Sequence, residues 1–335
     1  MSALSDAPGR PGGHDWERTR PTTAVRAKGK TKVSIVGGSG GVGSALAHKL
    51  VISSSPYEIA LLGRRPEAVA CQLMDFELLA PYGHASAIRQ GGIDDFPDSD
   101  VIVIAASVPF SPRKKRADFL HGNAEILRPY FREIAKLPEH WPGHVIIVTN
   151  PIDALCTWLL DHVQMHRRRI LGYSWNDTLR LKVDVARALG VAPSQVEAWV
   201  IGEHGDLCIP LFDRVFVAGR KVTLSPAQQS DILTRMRDWY PRWGSLGIAR
   251  TTVWSTAEGV CRMIASMKQE GTADWAASVS LEGAYGIRDV SLGVPISMER
   301  GIPSVREFPL NALEYDVLLR ASAMVRQQAQ AIGGL

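Results

Sequence analysis

A short apolar run that stops abruptly in glycine restricts this chain more than any other feature. Lys32 to Val36 (KVSIV) is too short and too rich in Val and Ile to be a helix, and Gly37-Gly38-Ser39-Gly40-Gly41-Val42-Gly43 follows it at once. Ser44–Val51 then has helical spacing. A strand, a GxxGxxG turn and a helix form the first half of a βαβ unit. In such a turn Gly37 permits the tight bend, Gly40 lets backbone approach a pyrophosphate, and Gly43 lets the helix pack on the strand. Gly41 and Val42 complete the cradle. Glycine-rich loops occur in many settings, and this one has weight because of its place between a strand and a helix.

The alternation continues. Glu58–Leu62, Val101–Ala105 and His144–Thr149 are further short apolar runs, and Glu67–Leu79 and Asp118–Ala135 have helical spacing. Strands alternating with helices imply a parallel sheet covered on both faces. Beyond residue 172 the helical stretches lengthen (Thr178–Leu189, Ser225–Tyr240, Thr251–Glu270, Asn311–Ala331). Hairpin-like pieces lie around Leu211–Val222 and Ala276–Pro303, and Val196–Ile201 reads as a strand. The expected fold is α/β: a Rossmann-type parallel-sheet, dinucleotide-binding domain over 31–172, followed by an α+β catalytic domain over 173–335. Residues 1–30 are rich in Pro, Gly, Arg and Ser, lack an apolar stretch, and are expected to be a disordered tail rather than a secretory signal. Their basic residues are interrupted by Asp15 and Glu17, and no aromatic-and-basic motif follows, so a solvated leader is favoured over a nucleic-acid arm. No apolar run reaches about 18 residues, so no membrane span is expected. Cys71, Cys156, Cys208 and Cys261 are scattered, with no CxxC pair or His cluster. That argues against a metal site or a disulfide framework and fits a reducing cytoplasm.

An acidic residue is expected about 20 residues after the glycine turn to hold the adenosine ribose. Here the second strand ends in Leu62-Gly63-Arg64-Arg65. The missing acid removes both a partner for a free 2′-hydroxyl and the repulsion of a 2′-phosphate, and guanidinium groups suit phosphate. A solvated Arg-Arg pair is the plainer reading. The two signs agree, so NADP(H) is the expected preference, with NAD(H) possible.

Four further segments carry chemistry. In Gly202-Glu203-His204-Gly205-Asp206 a glycine-flanked histidine stands at a strand end, unlike a packed core residue, and its ordinary pKa suits acid/base work. Asp177-Thr178-Leu179-Arg180 opens a helix. Asp177 alone would be a routine cap, but Arg180 lies one turn along the same face. Asn150-Pro151-Ile152-Asp153 sits where open α/β sheets bind ligands, and Pro109 to Arg116 is a polar loop placed to close over them.

From Thr31 onward the chain resembles the lactate and malate dehydrogenase family. The likeness is carried by the GxxGxxG turn, the Pro109–Arg116 loop with Asp118-Phe119-Leu120 and Asn123, Thr149-Asn150-Pro151, Asp177-x-x-Arg180, the His204 motif, and Gly286-Ile287 with Gly293-Val294-Pro295. The resemblance implies that His204 exchanges a proton with the substrate oxygen and that Asp177 orients and stabilises its ring. It implies that Arg180 grips a carboxylate, Arg116 polarises the ketone, and Asn150 bonds the reacting oxygen. A small 2-oxo or 2-hydroxy acid partner and a homodimer or homotetramer follow from it, with Ser44–Val51 and Arg250–Glu270 as candidate subunit contacts.

Two departures bear on the substrate. At the position six residues before Arg116, malate-type enzymes carry Arg and lactate-type enzymes Gln; here it is Phe110, which cannot pair with a second carboxylate. An apolar or bulky substrate side chain is the simplest reading, and Arg113 beside Lys114 and Lys115 could alternatively serve a dianionic acid such as malate or a phosphonate. Ala249-Arg250-Thr251-Thr252 replaces the usual pocket helix stretch, with Thr252 as the matching threonine, and Trp175 and Asn176 stand beside Asp177. A nicotinamide-binding sensor without activity would tend to lose the His204, Asp177 and Arg180 set. A nicotinamide-dependent glycoside hydrolase would want a metal-binding Cys/His set.

Overall fold

The apolar runs become a sheet in the computed structural model, which describes residues 29–109, 111, 116–248, 250, 252–269, 271–299 and 301–335, apart from the side chains of residues 116 and 117. In chain order the first half holds β1 (Thr31–Val36), α1 (Gly41–Val51), β2 (Tyr57–Leu62), α2 (Pro66–Glu77), β3 (Ala87–Gln90), β4 (Val101–Ile104), α3 (Leu120–Ala135), β5 (His144–Ile147), α4 (Ile152–Leu160) and β6 (Ile170–Gly172). The strands pair in parallel in the order β3-β2-β1-β4-β5-β6. Val33, Ile35, Ile102 and Ile146 are fully buried, as strands covered on both faces require.

The second half holds α5 (Trp175–Leu189), β7 (Val196–Glu197), β8 (Val200–Gly202), β9 (Cys208–Pro210), β10 (Phe216–Val217), β11 (Arg220–Lys221), α6 (Pro226–Ser245), α7 (Trp254–Ser266), β12 (Thr272–Ser280), β13 (Ser291–Glu299), β14 (Ile302–Val305) and α8 (Ala312–Ile332). β12 and β13 form a long antiparallel hairpin. β12 meets β6 at Ser278 and Gly172, so the parallel and antiparallel parts are one continuous sheet among the described residues. No helix there is long and apolar enough to cross a membrane.

Three elements differ from the sequence reading. α4 was not anticipated, because all nine of its residues are buried and an element without a polar face has no helical stripe. The strand expected over Val196–Ile201 is split: β7 pairs with β10, whereas β8 joins β9 and β13. Between them Trp199 turns inward against Trp175 and Phe308, with ring centres 5.8 Å from each. α6 does not stop at Tyr240 but runs through Pro241 to Ser245. Trp239 and Trp243, stacked with centres 5.2 Å apart and planes 16° apart, bridge the proline that would ordinarily break the helix.

The two stretches offered as subunit contacts pack on one another. α1 lies against α7, joined by the Lys49–Glu258 ion pair at 2.7 Å. The expected tail over residues 1–30 falls almost wholly outside the described residues.

Candidate active site

Two elements from the second half bring His204 and Asp177 together. α5 starts immediately beyond β6 and carries Asp177 in its first turn. The turn after β8 bends at Gly202, whose φ is +94° and where a Cβ would come within 2.6 Å of the Leu207 carbonyl oxygen. That bend delivers His204 over α5. Asp177 Oδ2 lies 2.5 Å from His204 Nδ1, and Oδ1 accepts from Arg180 Nη1 at 2.7 Å. His204 and Asp177 are each only 7% exposed, so the bonds are little screened by solvent. A carboxylate is an acceptor, so this contact assigns a ring proton to Nδ1, and Nε2 is the nitrogen that gains or loses the second proton.

A third element holds the histidine. The backbone amide of His204 donates to Asp153 Oδ2 at 2.7 Å from α4. Burial pushes the Asp153 carboxyl up to about 6, against the pull of the His204 amide and the nearby Ser278 hydroxyl, with the Asp177 charge adding a smaller push. Asp153 was quoted in the Asn150 motif but was not among the candidate residues. Nothing in the sequence ties it to a histidine 51 positions away.

His204 and Arg180 line a cleft with Asn150, Asn176, Thr252 and Thr256, and Trp239, Tyr240 and Trp243 close one side of it. The Arg180 guanidinium sits 3.8 Å from the centre of the Trp239 ring. A neighbouring cleft, lined by Val42, Ser107, Val108, Asn123, Thr149 and Asn150, lies at the carboxyl ends of β4 and β5. Asn150, Val42 and Tyr240 belong to both. Asn150 Oδ1 is buried with no hydrogen-bond partner among the described residues, as a group awaiting a ligand would be. Asn123 lines the second cleft but spends its amide on the backbone: Oδ1 accepts from Val108 N at 2.7 Å and Nδ2 donates to Asn150 O at 2.6 Å.

The glycine turn fits a dinucleotide. Gly37 has φ +88°, and a Cβ there would meet Ala106 N at 2.5 Å. The amides of Gly37 and Gly38 both donate to Leu62 O, tying the turn to β2. Gly40 is the N-cap of α1 and no side chain caps it, so Gly41, Val42 and Gly43 open the helix with amides suited to an anion. At the ribose end a Cβ on Gly63 would lie 2.8 Å from Val69 Cγ2 and 3.2 Å from Ser39 Oγ. The acid is therefore not merely absent, because Val69 occupies the room it would need. Arg64 and Arg65 are exposed beside this point.

The remaining candidates are partly placed. Arg116 begins a short turn that leads into α3. Phe110 and Arg113 lie outside the described residues, as does the side chain of Arg116. Thr252 lines the cleft as expected, 3.4 Å from the Thr256 hydroxyl. Asn176 faces the cleft and bonds Thr256 at 2.9 Å, whereas Trp175 packs in the core on Trp199 and Trp275. Cys208 is half-buried and packs on the hydrophobic cluster around Leu181, Val200 and Val215. The aromatic trio on α6 was missed, although Asp238-Trp239-Tyr240-Pro241-Arg242-Trp243 shows two indoles at helical spacing.

The comparisons with known proteins match this geometry. Residues 31–172 match the lactate/malate dehydrogenase NAD-binding domain, and residues 176–332 match the lactate/malate dehydrogenase alpha/beta C-terminal domain. The chain belongs to the lactate/malate dehydrogenase family. It is an oxidoreductase of the type that acts on the CH–OH group of a 2-hydroxy acid, with a small-molecule substrate. The malate dehydrogenase of Halobacterium salinarum is 30% identical over 307 residues, which covers 90% of this chain and 99% of that protein. An L-lactate dehydrogenase of Lactobacillus delbrueckii subsp. bulgaricus is 28% identical over the same coverage. The malate dehydrogenase of Cryptosporidium parvum superposes with a TM-score of 0.82 at 24% identity, covering 91% of this chain and 100% of that one, which shows the shared fold.

The raised Asp153 pKa has a pH consequence in this dehydrogenase. Its folded value of about 6 lies above the ordinary carboxyl value, so folding favours the protonated form. The stability it contributes is complete below about pH 4 and is lost as pH rises through about 6. Asp153→Asn keeps an acceptor for the His204 amide without titrating. Urea denaturation should show wild type losing on the order of 3 kcal/mol relative to Asp153→Asn between about pH 4 and pH 8. Parallel stability curves for the two proteins would contradict this.

Proposed function

We propose that this dehydrogenase reduces a 2-oxo acid other than simple pyruvate, with NADPH as the preferred cofactor, and that residues 31–172 hold the cofactor while residues 173–335 supply the acid/base chemistry. The observation that carries the reading is the Asp177 carboxylate shared between His204 and Arg180. It puts a proton donor and a carboxylate grip side by side. His204 Nε2 gives its proton to the developing alkoxide, and takes one back in oxidation. Asp177 stabilises the imidazolium form. Arg180 grips the substrate carboxylate, Asn150 lies where the two clefts meet, and Arg116 acts on the ketone oxygen. The nicotinamide supplies the hydride when bound, and the open first turn of α1 and Asn150 are the groups that would hold it.

A malate-type or phosphonate-type dianion is the second reading, favoured by the malate dehydrogenases among the relatives and by Arg113 in the loop. A sensor without activity is disfavoured by the intact Asp177, His204 and Arg180 set.

His204→Asn should lower kcat by roughly a hundredfold to ten-thousandfold while leaving NADPH affinity nearly unchanged. Steady-state kinetics with cofactor titration checks both, and a variant with near wild-type kcat would remove His204 from the reaction.

The cofactor preference is best tested without Gly63→Asp, because a side chain there must displace Val69. Arg64→Ser with Arg65→Ser should weaken NADPH binding by about tenfold or more, as loss of a charge-assisted hydrogen bond implies, and leave NADH within about twofold. Tighter binding of NADH than of NADPH to wild type would overturn the preference.

The reading includes a homodimer. Met74, Leu78 and Tyr82, four residues apart along the end of α2 and the turn beyond it, are 69%, 70% and 77% exposed, an apolar stripe suited to a second copy. Sedimentation should give at least a dimer for wild type and a smaller species for Leu78→Glu; a wild-type monomer would exclude it.

A further inference from the structure

We infer that the 2-oxo acid taken by this enzyme carries an aromatic side chain, and that Trp239, Tyr240 and Trp243 of α6 form the wall that selects it. The inference rests on the proposed roles of Arg180 and His204. Those two groups anchor the carboxylate and the ketone, and so fix the first two carbons of any 2-oxo acid. Whatever follows the ketone must meet the remainder of the cleft.

Among the described residues, that remainder is aromatic on one side and carries no further permanent charge. The Trp239 and Trp243 rings are stacked, and Arg180 lies over Trp239, so the carboxylate grip and the aromatic wall are one packed unit. Trp243 Nε1 donates to Arg250 O at 2.6 Å, which holds its ring in place. Tyr240 borders both clefts, placing the wall next to the cofactor side. Val42, Val148 and Ile152 are apolar, and Asn176 and Thr256 bond each other. Among the described residues lining the cleft, Arg180 alone carries a permanent positive charge, and the carboxylate next to the ketone requires it. Against the indole rings a second carboxylate would find no second cation among the described lining residues. An aryl ring would instead find offset or edge-on partners.

The test compares kcat/KM for phenylpyruvate, pyruvate and oxaloacetate, with NADPH and with NADH, in wild type, Trp243→Ala and Trp243→Phe. Wild type should favour phenylpyruvate over oxaloacetate by about tenfold or more. Trp243→Ala should fall about tenfold further on phenylpyruvate than on pyruvate, chiefly through KM, and Trp243→Phe should recover much of that difference. A wild type that works best on oxaloacetate or pyruvate overturns the inference and leaves the dehydrogenase reading standing. Equal losses on all three substrates in both variants make Trp243 a structural residue and overturn it too. Failure to reduce any of the three with either cofactor removes the roles of Arg180 and His204 as well.

Discussion

Everything in the site hangs on a single carboxylate divided between a guanidinium and an imidazole. Asp177 gives one oxygen to His204 and the other to Arg180, in a place nearly closed to water. There a lone charge would be costly, and each contact makes the next worthwhile. The carboxylate sits on the first turn of α5, where the helix N-terminus also favours an anion. His204 comes from a separate strand end and is tied from behind by Asp153 on α4. Three elements thus converge on one imidazole. A loosening of any one of them would be felt at the ring, because geometry on the scale of an ångström governs such transfers.

The continuous sheet makes this convergence possible. Pairing of β6 with β12 at Gly172 and Ser278 welds the parallel half to the antiparallel half, so the two clefts cannot drift independently. Asn150 stands at the seam, with its backbone oxygen held by Asn123 and its side-chain oxygen unspent. The cleft at the ends of β4 and β5 and the cleft that holds His204 and Arg180 share that residue.

Much of this was legible in the sequence, and the reason is chemical. Gly37, His204, Asp177 and Arg180 are residue types that local backbone geometry or proton chemistry demands at short, readable spacings. The parallel strands declared themselves as Val- and Ile-rich runs. What stayed hidden was set by long-range packing. α4 has no polar face, so it offers no period to detect. The strand over Val196–Ile201 breaks only because Trp199 finds partners in Trp175 and Phe308, far along the chain. Asp153 and His204 are linked through a backbone amide, which no side-chain motif reveals. Pro241 marks a helix end by local rules and is overridden by stacked indoles.

That override ties selectivity to the fold in a particular way. The reacting groups sit on buried elements shared by both halves, whereas the aromatic wall sits on α6, of whose residues only Ile232 is fully buried. A helix with so little core to hold it can change its cleft-facing side chains at small cost to stability. It is still anchored to the chemistry at one point, the Arg180 guanidinium on Trp239. A change of the wall at Trp239 acts on the carboxylate grip directly, whereas a change at Trp243, one turn further on, reaches Arg180 only through the stack. Selectivity for the side chain and orientation of the acid are thus carried by neighbouring indoles of one stack, and they separate along the helix axis rather than across the cleft.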